Sequence, residues 1–380
     1  RANGTKNSPI NILPIEPNKS FHSINFFKCD VNIKHVNIKD GLINSKNSNF
    51  KIDSSNFTIK NRQMEFGDKR PAIIWVWRGS ATINNISLKG NSKGEGINIS
   101  YSNSKIINSE FYNTPDAIEL INVNNGIISN NLVVSSPDDA IDLNGCLNIE
   151  ISNNFLINNI DKGISIGTDW GNKFVSFKPG FNSNSSNINV FNNYISGNNI
   201  GICIKDSSFV YSQNNIISHN NLGLKIYRKN KKYMLGGTIK SENDEISCNN
   251  VQVEVDMYSQ KSLNNTIDSC SVIKILNNFI FTSLMEWSIN DENLFIKNNS
   301  GVDINLNGLV IVNKNNEDLF TFHENHNVES GGEICITNNK SNLKSNYFYS
   351  RKLKTNQLKK IYFKNNTNKL FHINNEKDSY

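Results

Sequence analysis

Through the first three quarters of the chain, apolar residues alternate with polar ones in short runs that return at a nearly constant interval. One pattern, a small residue followed by apolar-polar-apolar, occurs six times: Gly96-Ile97-Asn98-Ile99, Ala117-Ile118-Glu119-Leu120, Ala140-Ile141-Asp142-Leu143, Gly163-Ile164-Ser165-Ile166, Gly201-Ile202-Cys203-Ile204 and Gly223-Leu224-Lys225-Ile226. Counted from the first apolar residue, the steps are 21, 23, 23, 38 and 22. Alternation marks a strand with one buried face. A repeat of about 22 residues holds three short strands and three bends. The pattern predicts an all-β chain with a right-handed parallel β-helix, a three-sheet solenoid, over residues 1–282. The 38-residue step is one coil carrying an insertion from Asp169 to about Ser186.

Asparagine makes up roughly a fifth of the chain, well above a globular average. It tolerates left-handed backbone and satisfies bends with its own amide, which suits a chain of repeated corners. Pairs at Asn130-Asn131, Asn153-Asn154, Asn192-Asn193, Asn214-Asn215 and Asn249-Asn250 keep the coil period, with Asn84-Asn85 before them and Asn277-Asn278 after. Stacked at one corner they would form an amide ladder. Alternation places Ile118, Leu120, Ile141, Leu143, Ile164 and Ile166 inside, and Glu119, Asp142, Ser165, Cys203 and Lys225 outside in one column. The small residues form a further column, read either as a groove floor or as room for the bend before the strand.

The period fades after Asn278. Short alternating segments follow: Leu294-Phe295-Ile296, Val302 to Leu309, Phe320-Thr321-Phe322 and Glu333-Ile334-Cys335-Ile336. They predict a small immunoglobulin-like β-sandwich over 283–380. A run Val302-Asp303-Ile304-Asn305-Leu306-Asn307-Gly308 and a Gly331-Gly332 step before the last apolar strand resemble the lamin-tail domain.

The net charge of +6 is spread along the chain, with Arg228 to Lys232 its densest basic spot. Such a balance favours polyanions only weakly, an ordinary solvated surface being the favoured reading, and no nucleic-acid-binding motif is present. No apolar run is long enough to span a bilayer. The six cysteines show neither paired nor zinc-type spacing and read mostly as small buried hydrophobes. The chain begins at Arg1, which fits a missing upstream signal or domain. Trp75 and Trp77 share one strand face, where they would stack on sugar rings or, as expected here, pack inside the first coils. His219 reads as incidental.

Acidic residues gather at one corner of adjacent coils: Asp116, then Asp138-Asp139, then Asp161-Lys162. At a coil spacing of ~4.8 Å, Asp116, Asp139 and Lys162 would form one column, Asp138 and Asp161 a second, Glu119 and Asp142 a third. Like carboxylates this close repel, which separates their pKa values and yields an acid and a base. Glycosidic chemistry needs that pair. The order Thr114-Pro115-Asp116-Ala117-Ile118, Asp138-Asp139-Ala140-Ile141, Lys162-Gly163-Ile164-Ser165-Ile166-Gly167 and Cys203-Ile204-Lys205 resembles the polygalacturonase-type glycoside hydrolases. The resemblance implies Asp116, Asp138 and Asp139 as catalytic. It is broken where Lys162 replaces the family's histidine and Cys203 its arginine, leaving Lys205 of the sugar-binding pair. The opening Gly4-Thr5-Lys6-Asn7-Ser8-Pro9-Ile10, together with the Asp161 to Gly167 and Ile204 to Ser207 runs, resembles bacterial surface proteins that join a β-helix to a lamin-tail domain, often beside a spore-coat-protein-H-type kinase module.

A lyase or epimerase would instead use a base and a carboxylate-neutralising cation. The candidate catalytic residues are therefore Asp116, Asp138, Asp139, Lys162 and Lys205. The candidate substrate-binding residues are Glu119, Asp142, Asp161, Lys225, Tyr227 and Arg228. The residues define no certain cofactor, and Asp138, Asp139 and Asp142 offer oxygens suited to Ca²⁺. The expected partner is an acidic polysaccharide or cell-surface glycan, outside the cell or at its surface, with homo-oligomerisation open. Two readings remain: a carbohydrate-active enzyme, or a non-catalytic surface or fibre protein whose aspartates cap bends and pair with lysines.

Overall fold

The computed structural model describes residues 1–16, 19–60, 71–169 and 184–268, and then 285–290, 293–298, 304–306, 310–313, 317–322, 327–329, 331–337, 347–349, 361–364 and 370–375. Among them there are strands and no helices. The chain divides into two compact units, Arg1–Ser271 and Val272–Tyr380.

The first unit is a parallel β-helix solenoid in which every strand pairs in parallel with the equivalent strand of the next coil. Ile97 pairs with Ile118, Ile118 with Ile141, Ile141 with Ile164, Ile164 with Ile202, and Ile202 with Leu224. These are the residues that the spacing aligns, and the 38-residue step is one coil. Its insertion leaves at the end of the strand Lys162–Gly167 and returns before Ser186–Phe191; Thr168 bridges to Asn184, and 170–183 lie outside the described residues. Ile99, Leu120, Leu143, Ile166, Ile204 and Ile226 stack inside with no exposure. Each fully buried side chain of this kind contributes about 2 kcal/mol.

The corners explain the asparagines. Asn130, Asn153, Asn192 and Asn214 all hold left-handed backbone, with φ of 57, 55, 57 and 54°. The following residue turns inward. Asn131 donates to Asn154 at 3.0 Å, Asn154 to Asn193 at 2.9 Å, Asn193 to Asn215 at 2.9 Å, and Asn215 to Asp244 at 2.8 Å. Asn249 does not join this ladder. It ends a second one at another corner, Asn159, Asn198, Asn220 and Asn249, because the coil before it is longer and Asp244 takes the first-ladder place. Asn85 takes the left-handed bend itself, so Asn84-Asn85 is one residue out of step. Asn277-Asn278 lies outside the described residues.

The small-residue column is buried and faces inward. A Cβ on Gly163 would meet Ile195 Cγ2 at 2.6 Å, and one on Gly201 would meet Ile217 Cγ2 at 2.6 Å. These residues make room at the bend and are not a groove floor. Trp75 and Trp77 are corrected in the opposite direction: Ile74 and Val76 take the interior, so both indoles stand half-buried on the outer face. Cys146, Cys203 and Cys335 are buried, Cys29 is exposed, and Cys270 lies outside the described residues.

In the second unit, Asn293–Asn298 runs antiparallel to Met285–Asn290 and to Glu333–Thr337. Val310–Asn313 pairs antiparallel with Asp318–Thr321 and Ile361–Lys364. Trp287, Leu294, Ile296, Ile311, Phe322 and Ile336 are buried.

Candidate functional site

One outer sheet face of the solenoid carries the acidic cluster. Its register aligns Trp75, Asn98, Glu119, Asp142, Ser165, Cys203, Lys225 and Glu254 in a first outward column. Two residues on, Lys46, Trp77, Ser100, Ile121, Asn144 and Gly167 form a second, which Lys205 and Tyr227 continue. At the strand entrances stand Glu95, Asp116, Asp139 and Lys162, followed by Ile200 and Leu222. Glu95 escaped the sequence reading although it precedes Gly96-Ile97 just as Asp116 precedes Ala117-Ile118.

The entrance column is stitched together. Asp116 Oδ1 accepts the Asp139 amide at 3.3 Å, and Asp139 Oδ1 accepts the Lys162 amide at 3.2 Å. The Lys162 ammonium donates to Asp139 at 3.1 Å and also to Asp161. One oxygen each from Asp116, Asp139 and Asp142 lies within 4.8 Å of the others, and the same holds for Asp138, Asp139 and Asp161. Glu119 accepts from Asn98 and, at 3.3 Å, from Asn144, which also donates to Asp142 Oδ2 at 2.7 Å. Asp142 Oδ1 is buried with no hydrogen-bond partner among the described residues.

Crowding and burial set the protonation. Burial, then Asp142, Asp139, Asp138 and Glu95, push Asp116 up to about 8. Burial, then Glu95, Asp142 and Asp116, push Glu119 up to about 10. Burial and Asp142 push Asp139 up to about 7, against the pull of Lys162 and Lys205. Burial opposes the charge on Lys162, but Asp139 and Asp161 outweigh it and its pKa rises above the usual lysine range. Lys205 is likewise buried, and Asp142 and Asp139 help to hold it charged. At neutral pH such a set carries protonated and ionised carboxyls side by side, which is the inventory for acid–base work.

Lys205 reaches back one coil over Gly167 to donate to Ser165 Oγ at 2.7 Å. A Cβ on Gly167 would lie 2.9 Å from Lys205 Cε, so glycine lets the lysine lie flat. Beyond Lys162 the entrance column turns apolar: Ile200, Leu222 and Tyr227 pack around Cys203, which has no exposure, and burial holds the thiol up at about 11. Lys225 and Arg228 stand apart from the acidic cluster. Lys225 pairs with Glu254 at 3.2 Å, and Arg228 stacks over Tyr258 at 3.3 Å from the ring centre. The structure thus brings Asp116, Glu119, Asp138, Asp139, Asp142, Asp161, Lys162 and Lys205 together, while Tyr227 marks the cluster's apolar edge. His219 lines a separate corner cleft with Asn158, Asn199 and Asn221.

Two groups of carboxylates, Asp116 with Asp139 and Asp142 and Asp138 with Asp139 and Asp161, could hold a hard cation, and the Lys162 ammonium already pairs with Asp139 and Asp161. Three carboxylates supply part of the roughly six to eight oxygens that Ca²⁺ takes.

No family model and no curated protein matches this chain. Among solved structures it is similar to a double mutant of the periplasmic alginate epimerase AlgG, at 12% identity and TM-score 0.37 over 63% of this chain and 74% of that one. It is similar to the catalytic domain of a GH87 α-1,3-glucanase in complex with tetrasaccharides, at 13% identity and TM-score 0.23 over 68% and 70% of the two chains. It is also similar to the Azotobacter vinelandii mannuronan C-5 epimerase AlgE4 A-module, at 12% identity and TM-score 0.25 over 65% and 86%. Likenesses at these scores transfer no chemistry to this chain.

Proposed function

We propose that this protein is a carbohydrate-active enzyme whose acid–base pair is drawn from Asp116, Asp139 and Asp142, acting on a polysaccharide laid along the outer face of the solenoid. One observation carries the reading: carboxyls from adjacent coils lie within 4.8 Å of one another, with Asp139 and Asp116 held up at about 7 and about 8. A protonated carboxyl beside an ionised one can donate a proton to a leaving oxygen while its neighbour takes one or attacks. Lys205 supplies a buried positive charge beside them. This proton inventory serves hydrolysis, elimination and epimerisation alike. A polysaccharide substrate places the protein outside the cell or at its surface. The antiparallel strands of the second unit support a lamin-tail-like sandwich that would serve attachment.

A non-catalytic reading has its own support, since Asp116 and Asp139 each cap the amide of the next coil. The two separate in one assay: acidic and neutral polysaccharides, with and without Ca²⁺, followed by ultraviolet absorbance and reducing ends together. Both signals rising means elimination and reducing ends alone mean hydrolysis, while a change in uronate configuration detected by NMR means epimerisation. No change across the panel overturns the enzyme reading.

A further inference from the structure

Three coils toward the N-terminus from Asn144, the second outward column changes character. Lys46 Nζ sits 4.5 Å from the centre of the Trp77 ring, the Arg78 guanidinium 4.2 Å from it, and Tyr101 meets it edge-on at 6.4 Å. Lys46 and Arg78 are exposed, and neither has a carboxylate partner among the described residues. One coil further out, Phe27 is 59% exposed, with Lys28 over its ring.

The backbone supplies an independent sign. Lys28, Asn47, Arg78, Tyr101, Asn122 and Gly145 occupy the same bend in successive coils, and all hold left-handed backbone. Asn and Gly accept that conformation readily, whereas Lys, Arg and Tyr do so at a cost. The three residues that strain the bend, Lys28, Arg78 and Tyr101, all pack against Phe27 or Trp77. Strain kept beside these rings in an otherwise compliant ladder points to use.

We propose that Lys46, Trp77 and Arg78 form a subsite for an anionic sugar, the indole lying against the ring and the two cations meeting its carboxylate. It lies about 14 Å along the axis from the level of Asn144, at ~4.8 Å per coil, and on the same face as the carboxylate cluster. A glycan chain lying across the coils therefore meets both. The inference rests on reading this face as glycan-binding, and its test is binding, separate from turnover.

Calorimetry with oligogalacturonate, oligomannuronate, a neutral gluco-oligosaccharide and a thymidine oligonucleotide reads it directly. Wild type should bind a uronate oligomer in preference to the neutral one. Arg78→Asn removes the cation and installs the residue that the preceding coil already uses at this bend. Affinity should fall about tenfold while the thermal midpoint holds or rises, an outcome a purely structural role for Arg78 would not give. Lys46→Gln should also weaken binding and flatten its salt dependence. No uronate binding, affinity unchanged in both variants, or tighter binding of the oligonucleotide through the same residues overturns the proposal. Binding through Arg78 without turnover leaves the subsite standing and removes the enzyme reading. Turnover with unchanged affinity in both variants does the reverse.

Discussion

Asp139 is the residue on which the acidic face turns. It touches Lys162, faces Asp142 and sits at about 7, so a small change in pH moves its proton. Asp139→Asn keeps shape and removes the charge, and turnover should fall about a hundredfold or more with the fold intact. Activity should peak between about pH 7 and 8, where Asp139 has released its proton and Asp116 keeps one; Asp116→Asn should remove the alkaline limb of the profile. Lys162→Met tests the opposite charge. It strips the ammonium from Asp139 and Asp161 in a buried setting, a loss of about 3 kcal/mol by urea denaturation at pH 8. The loss should shrink at pH 5, where Asp139 is protonated and needs no partner.

At the scale of the element, the corners hold the coils in register. The ladder Asn131, Asn154, Asn193 and Asn215 is buried, and each amide also donates to a main-chain carbonyl of the coil behind it. Asn154→Ala would leave the buried Asn131 main-chain amide without its acceptor and remove one donor from the Ile128 carbonyl, and should cost about 3 kcal/mol in a denaturant melt. Asn148 belongs to an exposed ladder with Asn124 and Asn187, where water replaces the lost bonds. Asn148→Ala should change stability by less than about 0.5 kcal/mol. The contrast separates buried satisfaction from stacking as such.

For the whole molecule, the cluster sets how stability responds to pH. Asp116, Asp139 and Glu119 have folded-state pKa values raised above those of an unfolded carboxylate. Each therefore favours the fold most fully below pH about 4 and loses that contribution as pH rises through about 7, 8 and 10. The melting temperature of the wild type should fall steadily from pH 5 to pH 9. In Asp116→Asn and Glu119→Gln, which stay neutral throughout, the slope should flatten. A flat wild-type profile would show the carboxyls to be less crowded than the geometry has them.

The periodicity determined the solenoid because burial acts on every coil alike: one residue of slip would turn a whole face inside out, so the alternation at Ile118, Ile141, Ile164 and Ile202 leaves a single register. The same alternation, by spacing alone, aligns Glu119 with Asp142 and Asp116 with Asp139. Other features depend on what packs across coils. Trp75 and Trp77 were expected inside by bulk, yet Ile74 and Val76 hold the interior places. The small-residue column was open to two readings until Gly163 and Gly201 were seen to face Ile195 and Ile217. Lys225 and Arg228 share the column or the neighbourhood, but Glu254 and Tyr258, one coil on, engage them. Position along a coil is written in the chain, whereas burial, protonation and the partner each charge chooses arise only when coils stack and exclude water.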